Sequence, residues 1–271
     1  MNRFIFSSDM DGTILNKEHT LSKDTIENIR SLVEKGHIFV LNTGRPYQGM
    51  IYFKNQLEID CPYVCDNGAS IYWDSHDDFP VFFTVKKETV KRLFSDLNDI
   101  IYCSLVTSHQ KLFFQNRSLV PSFIIHIDED TIIHEGLIKD IVNENILTIT
   151  IHITKENLET FKKTISKYPS LRTRYWGEYN NICAFDVFSV NANKGLALDY
   201  LANYLHIDSF HSLGFGDDLN DLELIEHAGV GVAMKNACEE LKAKSDDITF
   251  KPHYENGVCD YINKYLQTHQ E

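Results

Sequence analysis

Four short stretches of this 271-residue sequence bring together side chains that could do chemistry. FSSDMDGTIL, residues 6–15, sets Asp9 and Asp11 one residue apart directly behind an apolar run. LNTGR supplies Thr43, Gly44 and Arg45, and NANKG supplies Lys194. LGFGDDLND supplies Asp217, Asp218, Asn220 and Asp221. Each has an ordinary explanation when taken alone. DMDG can be a turn in which Gly12 takes a positive φ and the aspartates cap a helix. It also opens like a calcium loop, but residues 16–21 do not continue that ligand spacing. NTGRP can be a turn with Pro46 opening a helix, GDDLND an acidic helix start, and Lys194 a solvated lysine.

Taken together they imply more. Carboxylates ~4 Å apart at an effective dielectric of 20 repel by about 4 kcal/mol, so something positive has to sit among them. An oxygen-rich set without His or Cys suits Mg2+, which takes one or two carboxylates and keeps positions for water and phosphate oxygens. A hydroxyl, backbone amides at helix starts and a lysine are natural phosphate ligands.

The elements around these stretches are suited to place them on one side of a sheet. RFIF and HIFVLNTG read as buried strands. KDTIENIRSLVEKG, with Gly36 as C-cap, and YQGMIYFKNQL read as helices, and PYVCDNGASIYW as a further strand running into a turn. Strands alternating with helices over short connections give βαβ units and a parallel sheet. In such sheets ligands bind outside the carboxyl ends of the strands, where the acidic and Thr-Gly-Arg clusters fall. From about Phe82 the pattern changes. A helix (KKETVKRLFSDLND) leads to the strands IIYCSLVTSH and KLFFQNRS, then, past a poorly patterned stretch, to a helix in EGLIKDIVNE. The strand ILTITIHIT, the helix KENLETFKKTISKYP, and the strands LRTRYW and ICAFDVFSV complete this section. Consecutive strands imply an antiparallel or mixed sheet. The βα pattern then returns in KGLALDYLANYLH, HSLGFGD, DLNDLELIEHA, GVGVAM, ACEELKAKS and VCDYINKYLQ. The expectation is an α/β protein whose parallel core, residues 1–82 and 188–271, is interrupted by an α+β domain at 83–187.

FSSDMDGTIL, LNTGR, the lysine of NANKG and LGFGDDLND together resemble the four signature motifs of haloacid dehalogenase-like phosphohydrolases, in the family's order and spacing. The large insert resembles the α/β cap of the Cof-type sugar-phosphate phosphatase subgroup, and Asn67-Gly68-Ala69 a further loop of that subgroup. The resemblance covers essentially the whole chain and implies a Rossmann-like core with a cap that reads substrate. It implies Asp9 as the nucleophile that forms an aspartyl-phosphate, and Asp11 as the group that protonates the leaving alcohol and then deprotonates water. It implies Mg2+ held by Asp9, the backbone carbonyl of Asp11, and Asp217. Asp221, one helical turn beyond Asp217, would hold a metal-bound water. Thr43, Gly44, Lys194 and Asn220 would bind the phosphoryl group, with Asp218 supporting the cluster or capping a helix.

The substrate expected is a small phosphorylated metabolite, a sugar phosphate first, with pyridoxal phosphate or a nucleotide-like ester also in range. Arg45 could meet a substrate oxygen or pair with an acid. The aromatics Tyr175, Trp176 and Tyr179 read first as packing and second as a lining for the substrate. His126 and His152 sit in apolar alternating runs and read as strand residues. A sugar phosphomutase, and a metabolite-binding regulator without catalysis, are the competing readings. The few cap arginines, Arg92, Arg117, Arg172 and Arg174, speak against the first, and the complete motif set against the second.

Composition sets the remaining bounds. With 43% hydrophobic and 24% charged residues, the sequence suits a packed globular protein. A formal net charge of −13 without a Lys/Arg-rich stretch argues against nucleic-acid or anionic-membrane partners. The N-terminal apolar run is too short for a signal peptide, and no stretch approaches the ~18 apolar residues of a membrane span. The six cysteines are scattered, with no CxxC or Cys/His ligand array. Free thiols and a cytoplasmic location are therefore expected.

Overall fold

The computed structural model describes residues 3–121 and 131–269; His126 lies outside the described residues. The first strand, β1 (Ile5–Ser8), is buried along its whole length. The chain turns sharply after it and enters α1 (Lys23–Glu34), where the Ser22 hydroxyl accepts from the Thr25 amide at 3.1 Å and Gly36 leaves the helix at φ +88°. β2 (Ile38–Asn42), also fully buried, leads to α2 (Tyr47–Leu57). The PYVCDNGASIYW segment divides where one strand is expected. β3 (Tyr63–Cys65) and β4 (Ser70–Tyr72) pair antiparallel around Asp66, Asn67 and Gly68, all three at positive φ. A two-residue strand, β5 (Val81–Phe82), follows.

The inserted section begins with α3 (Lys87–Asp96), β6 (Ile101–Thr107), β7 (Lys111–Gln115) and β8 (Ile132–Glu135). It continues through α4 (Ile138–Ile141), β9 (Thr148–Thr154), α5 (Leu158–Ile165), β10 (Leu171–Tyr179) and β11 (Ile182–Ser189). Its sheet has the order β10-β11-β9-β6-β7-β8, antiparallel except for the parallel β7–β8 pair. One face packs Val106, Ile149, Ile151, Phe185 and Val187 against Val90, Leu93 and Phe94 of α3 and Phe161 of α5.

The core resumes with α6 (Lys194–Tyr204), β12 (Ser212–Gly216), α7 (Leu222–His227), β13 (Val230–Ala233), α8 (Glu239–Lys242), β14 (Asp247–Ile248) and α9 (Gly257–His269). Its sheet runs β14-β13-β12-β1-β2-β3-β4-β5, parallel from β14 through β3. Strands buried on both faces explain why the sequence shows continuous apolar runs here rather than alternation. β1 lies between β2 and β12, so Asp9, Thr43 and Asp217 leave the sheet from neighbouring strands at the same end.

The chain forms two compact units, residues 1–81 with 193–271, and residues 82–192. The second junction falls later than residue 187, because β11 runs on to Ser189 in the ladder with β10. Among the described residues no helix is long and apolar enough to cross a membrane, and all six cysteines are free.

Candidate active site

The site starts where β1 ends. The Asp9 amide donates to the Phe215 carbonyl at 2.9 Å, which carries the β1–β12 ladder one residue past the strand. This holds Asp9 in the sheet's end, where it is only 5% exposed. Gly12 then takes φ +78° and bends the chain back toward the β12 loop. A Cβ on Gly12 would lie 2.2 Å from Asp217 Oδ2, so only glycine permits this approach. The next residue fastens the two loops together, as Thr13 Oγ1 donates to Asp217 Oδ1 at 3.0 Å.

Lys194 is the first residue of α6 and is 1% exposed, so it is no surface lysine. Its Nζ donates to Asp9 Oδ1 at 2.5 Å and to Asp221 Oδ1 at 2.6 Å. The backbone around it is fixed from two sides. Asn193 Oδ1 caps the helix by accepting from the Leu196 amide at 2.7 Å, and Asn42 Nδ2 donates to the Lys194 carbonyl at 3.0 Å. Asp221 is fully buried; its second oxygen accepts from the Asp217 and Asp218 amides at 2.9 and 3.3 Å. Asp218 caps the same turn by accepting from the Leu219 amide at 2.8 Å.

The site therefore gathers three carboxylates, Asp9, Asp217 and Asp221, each with an oxygen within 4.8 Å of the others. Lys194 is the one cation that the described contacts give them. Burial and then the Asp221 charge push the Asp9 carboxyl up to about 8, against the pull of Lys194. Burial and then Asp221 push Asp217 up to about 7, against the Thr13 hydrogen bond. Lys194 is depressed by burial, but Asp221 and Asp9 more than compensate and raise it above its ordinary value. Fully ionised, the cluster carries three negative charges against one positive. A divalent cation would neutralise that surplus, and an all-oxygen donor set suits a hard ion. The acidic cluster can hold a metal.

Beside it lies the Thr43-Gly44-Arg45 turn. Thr43 is 1% exposed; its hydroxyl accepts from the Arg45 amide at 3.1 Å and its carbonyl from the Asn67 amide at 3.0 Å. A Cβ on Gly44 would lie 2.9 Å from Asn67 Oδ1, and that same oxygen accepts from Asn220 Nδ2 at 3.5 Å. Thr43, Gly44, Asn67 and Asn220 are thus brought together. Asp11 stands outside the carboxylate trio. The Arg45 guanidinium grips it with two hydrogen bonds, Nε to Oδ2 at 2.7 Å and Nη2 to Oδ1 at 2.6 Å, and His19 Nδ1 lies 3.1 Å from Oδ1. Burial raises the Asp11 carboxyl, but Arg45 and then His19 outweigh it and hold the group below its ordinary value.

The aromatics considered as a substrate lining lie on β10 of the inserted unit, where Tyr175, Trp176 and Tyr179 are 52%, 55% and 39% exposed. Tyr175 also packs against Phe185, with the rings tilted by 36° and their centres 5.0 Å apart. His152 is buried within β9, and burial holds it below its ordinary value. Sequence reasoning missed the bond from Thr13 to Asp217, and it missed His19 and Asn42. His19 and Asn42 carry no local signal, because their partners lie elsewhere in the chain.

The sequence profile of the haloacid dehalogenase-like hydrolase family matches residues 6–262. The Bacillus subtilis 5-amino-6-(5-phospho-D-ribitylamino)uracil phosphatase YitU is 25% identical over 97% of this chain and 97% of its own length. A second B. subtilis phosphatase of that name, YcsE, is 27% identical over 97% of this chain and 95% of its own. The crystal structure of a haloacid dehalogenase-like hydrolase from Bacteroides thetaiotaomicron superposes with a TM-score of 0.77 at 24% identity, covering 97% of this chain and all of that one.

Proposed function

This chain belongs to the haloacid dehalogenase-like hydrolases and is a phosphoric monoester hydrolase; from that premise we propose that it is a Mg2+-dependent cytosolic phosphatase of small phosphorylated metabolites, working through an aspartyl-phosphate. The observation that carries this reading is the trio of the buried Asp9 and Asp221 and the half-buried Asp217, with a single lysine in its midst. Sugar phosphates are the first substrate class. The two B. subtilis relatives are named for a phosphorylated ribityl compound, which extends the class to polyol phosphates.

In this reading Asp9 attacks phosphorus as Lys194 steadies its carboxylate and offsets the negative charge gathering there. Asp9, the Asp11 backbone carbonyl and Asp217 would hold Mg2+, with Asp221 behind a metal-bound water; the ion would supply charge neutralisation for the phosphoryl oxygens. Thr43, the Gly44 amide and Asn220 would orient the phosphoryl group. Asp11 gives a proton to the departing alcohol and then takes one from the water that cleaves the aspartyl-phosphate. The inserted unit would read the rest of the substrate.

The test is phosphate release from p-nitrophenyl phosphate and a panel of sugar and polyol phosphates, with Mg2+ and with EDTA. Asp9→Asn should lower turnover by at least about a thousandfold, as loss of a covalent nucleophile does. An Asp9→Asn protein that keeps substantial activity would refute the nucleophile assignment.

A further inference from the structure

The turn between β3 and β4 is built against its own backbone preferences. Asp66 and Asn67 both stand at φ +54° and Gly68 at φ +93°, three left-handed residues of which only the last is glycine. A residue with a Cβ costs free energy there, and its surroundings have to hold it. They do so from two sides. The Asp66 and Asn67 amides donate to the Arg45 and Thr43 carbonyls at 2.9 and 3.0 Å. A Cβ on Gly68 would lie 2.2 Å from the Asn193 carbonyl oxygen, so the turn is wedged between the Thr43 turn and the start of α6. Asn67 is 3% exposed. Its carboxamide fills the space that a Cβ on Gly44 would take, with Oδ1 2.9 Å and Nδ2 3.1 Å from that position. Asn220 Nδ2 stands 3.5 Å from Oδ1, which makes that oxygen the acceptor and leaves Nδ2 as the donor end. Among the described residues this Nδ2 finds no acceptor.

We propose that Asn67 is a further phosphoryl-binding residue, whose Nδ2 donates to a phosphoryl oxygen alongside Thr43, the Gly44 amide and Asn220. The inference rests on the phosphatase reading. An ionised phosphate monoester brings several acceptor oxygens and no donor, so an N–H group without an acceptor of its own is the matching partner. Holding that donor on a buried, strained turn sets it in place before substrate arrives, and little side-chain freedom is lost on binding. The strain is then explained by what it positions, since the left-handed run is what carries the carboxamide up to Gly44. A residue that only braced its neighbours would act through Asn220, and the two roles separate by experiment.

The experiment compares wild type, Asn67→Gly, Asn67→Asp, Asn220→Ala and the double variant Asn67→Gly with Asn220→Ala. Hydrolysis of p-nitrophenyl phosphate in Mg2+ reads turnover, and thermal unfolding with and without inorganic phosphate reads binding alone. Glycine takes the left-handed backbone freely, so Asn67→Gly removes the carboxamide while Tm stays within about 3 °C of wild type. It should nonetheless lower kcat/KM about tenfold to a hundredfold, as loss of one donor to a charged group does. It should also shrink the Tm rise that inorganic phosphate gives wild type. Asn67→Asp keeps the size, the acceptor oxygen and the tolerance of this backbone, but puts a negative charge in place of the donor. It should fall at least as far as Asn67→Gly. In the Asn220→Ala background, Asn67→Gly should still cost about fivefold or more, whereas a brace for Asn220 would cost nothing there. Disappearance of that cost, an Asn67→Asp protein within about threefold of wild type, or a phosphate-induced Tm rise unchanged by Asn67→Gly would each overturn the proposal. Wild-type release of phosphate tests the phosphatase reading separately.

Discussion

Each unit of the molecule buries an aspartate network, and the two are satisfied by different means. In the inserted unit Asp186 of β11 is 9% exposed and accepts from Thr150 Oγ1 at 2.8 Å. Burial raises its carboxyl, opposed by hydrogen bonds from Trp176 and Thr150 and by the charge of Arg174. It is one carboxylate with neutral donors and a cation close by, set on a regular strand. In the core unit three carboxylates share Lys194, and they sit at loop starts beyond the ends of β1 and β12. A buried carboxylate alone marks little, since hydrogen bonds can settle it. What marks the core cluster is surplus charge that the described residues leave uncompensated.

The largest expected effect separates the two directly. Lys194→Met removes the cation from the trio and leaves carboxylates buried without it. Breaking a buried pair from one side costs about 3–5 kcal/mol, and the same change should lower phosphatase turnover at least about a hundredfold. Thermal unfolding and p-nitrophenyl phosphate hydrolysis read the two effects. A variant with wild-type Tm and turnover would put Lys194 back among ordinary surface lysines.

Second comes the response to metal and pH. Asp9 and Asp217 titrate near 8 and 7 in the folded protein, against an ordinary value of 3.8. A carboxyl raised on folding keeps its proton after the unfolded chain has lost it. Its contribution to stability is therefore present below about pH 4 and is lost as pH rises from there toward the folded value. In EDTA these two groups should lower Tm between about pH 4 and 8. Mg2+ should cancel that loss increasingly as pH rises, and at a concentration of 100 Kd should add about 2.7 kcal/mol. Asp11, held below its ordinary value, pulls the other way at acid pH. The difference between Mg2+ and EDTA curves is accordingly the quantity to follow, and a difference that vanishes at every pH would remove the metal from the site.

The contrast also explains what the sequence made legible. Asp9, Asp11, Thr43, Lys194 and Asp217 could be singled out because strand-to-loop transitions with polar residues are visible locally, and because a parallel sheet collects such ends. The helix at 47–57 was readable from its spacing alone. The two-residue β5 and β14 and the four-residue β8 were not, because runs this short show no periodicity. EGLIKDIVNE has helical spacing but forms a single turn, α4, after which Val142 is already extended at ψ 121°. Ile146 then joins Val85 in a backbone bridge, so tertiary pairing overrides local propensity. Burial of Lys194, and the pairing of Arg45 with the acid Asp11, depend on residues far away in sequence and leave no local trace.

The smallest effect belongs to the inserted unit and tests whether its aspartate is structural. Thr150→Val keeps the β-branched shape and strand preference of β9 and removes only the hydroxyl that donates to Asp186. The Ser104 hydroxyl still donates to the Thr150 carbonyl, so the strand's other attachment at this point is preserved. Losing one bond to a buried carboxylate should cost about 1–2 kcal/mol. That cost should be the same in Mg2+ and in EDTA, because Trp176 remains to serve Asp186 and no surplus charge is created. A Tm loss that Mg2+ reverses would place a cation at Asp186 as well and erase the difference between the two networks. A loss as large as that of Lys194→Met would show instead that neutral donors, not ions, dominate burial of aspartate throughout this fold.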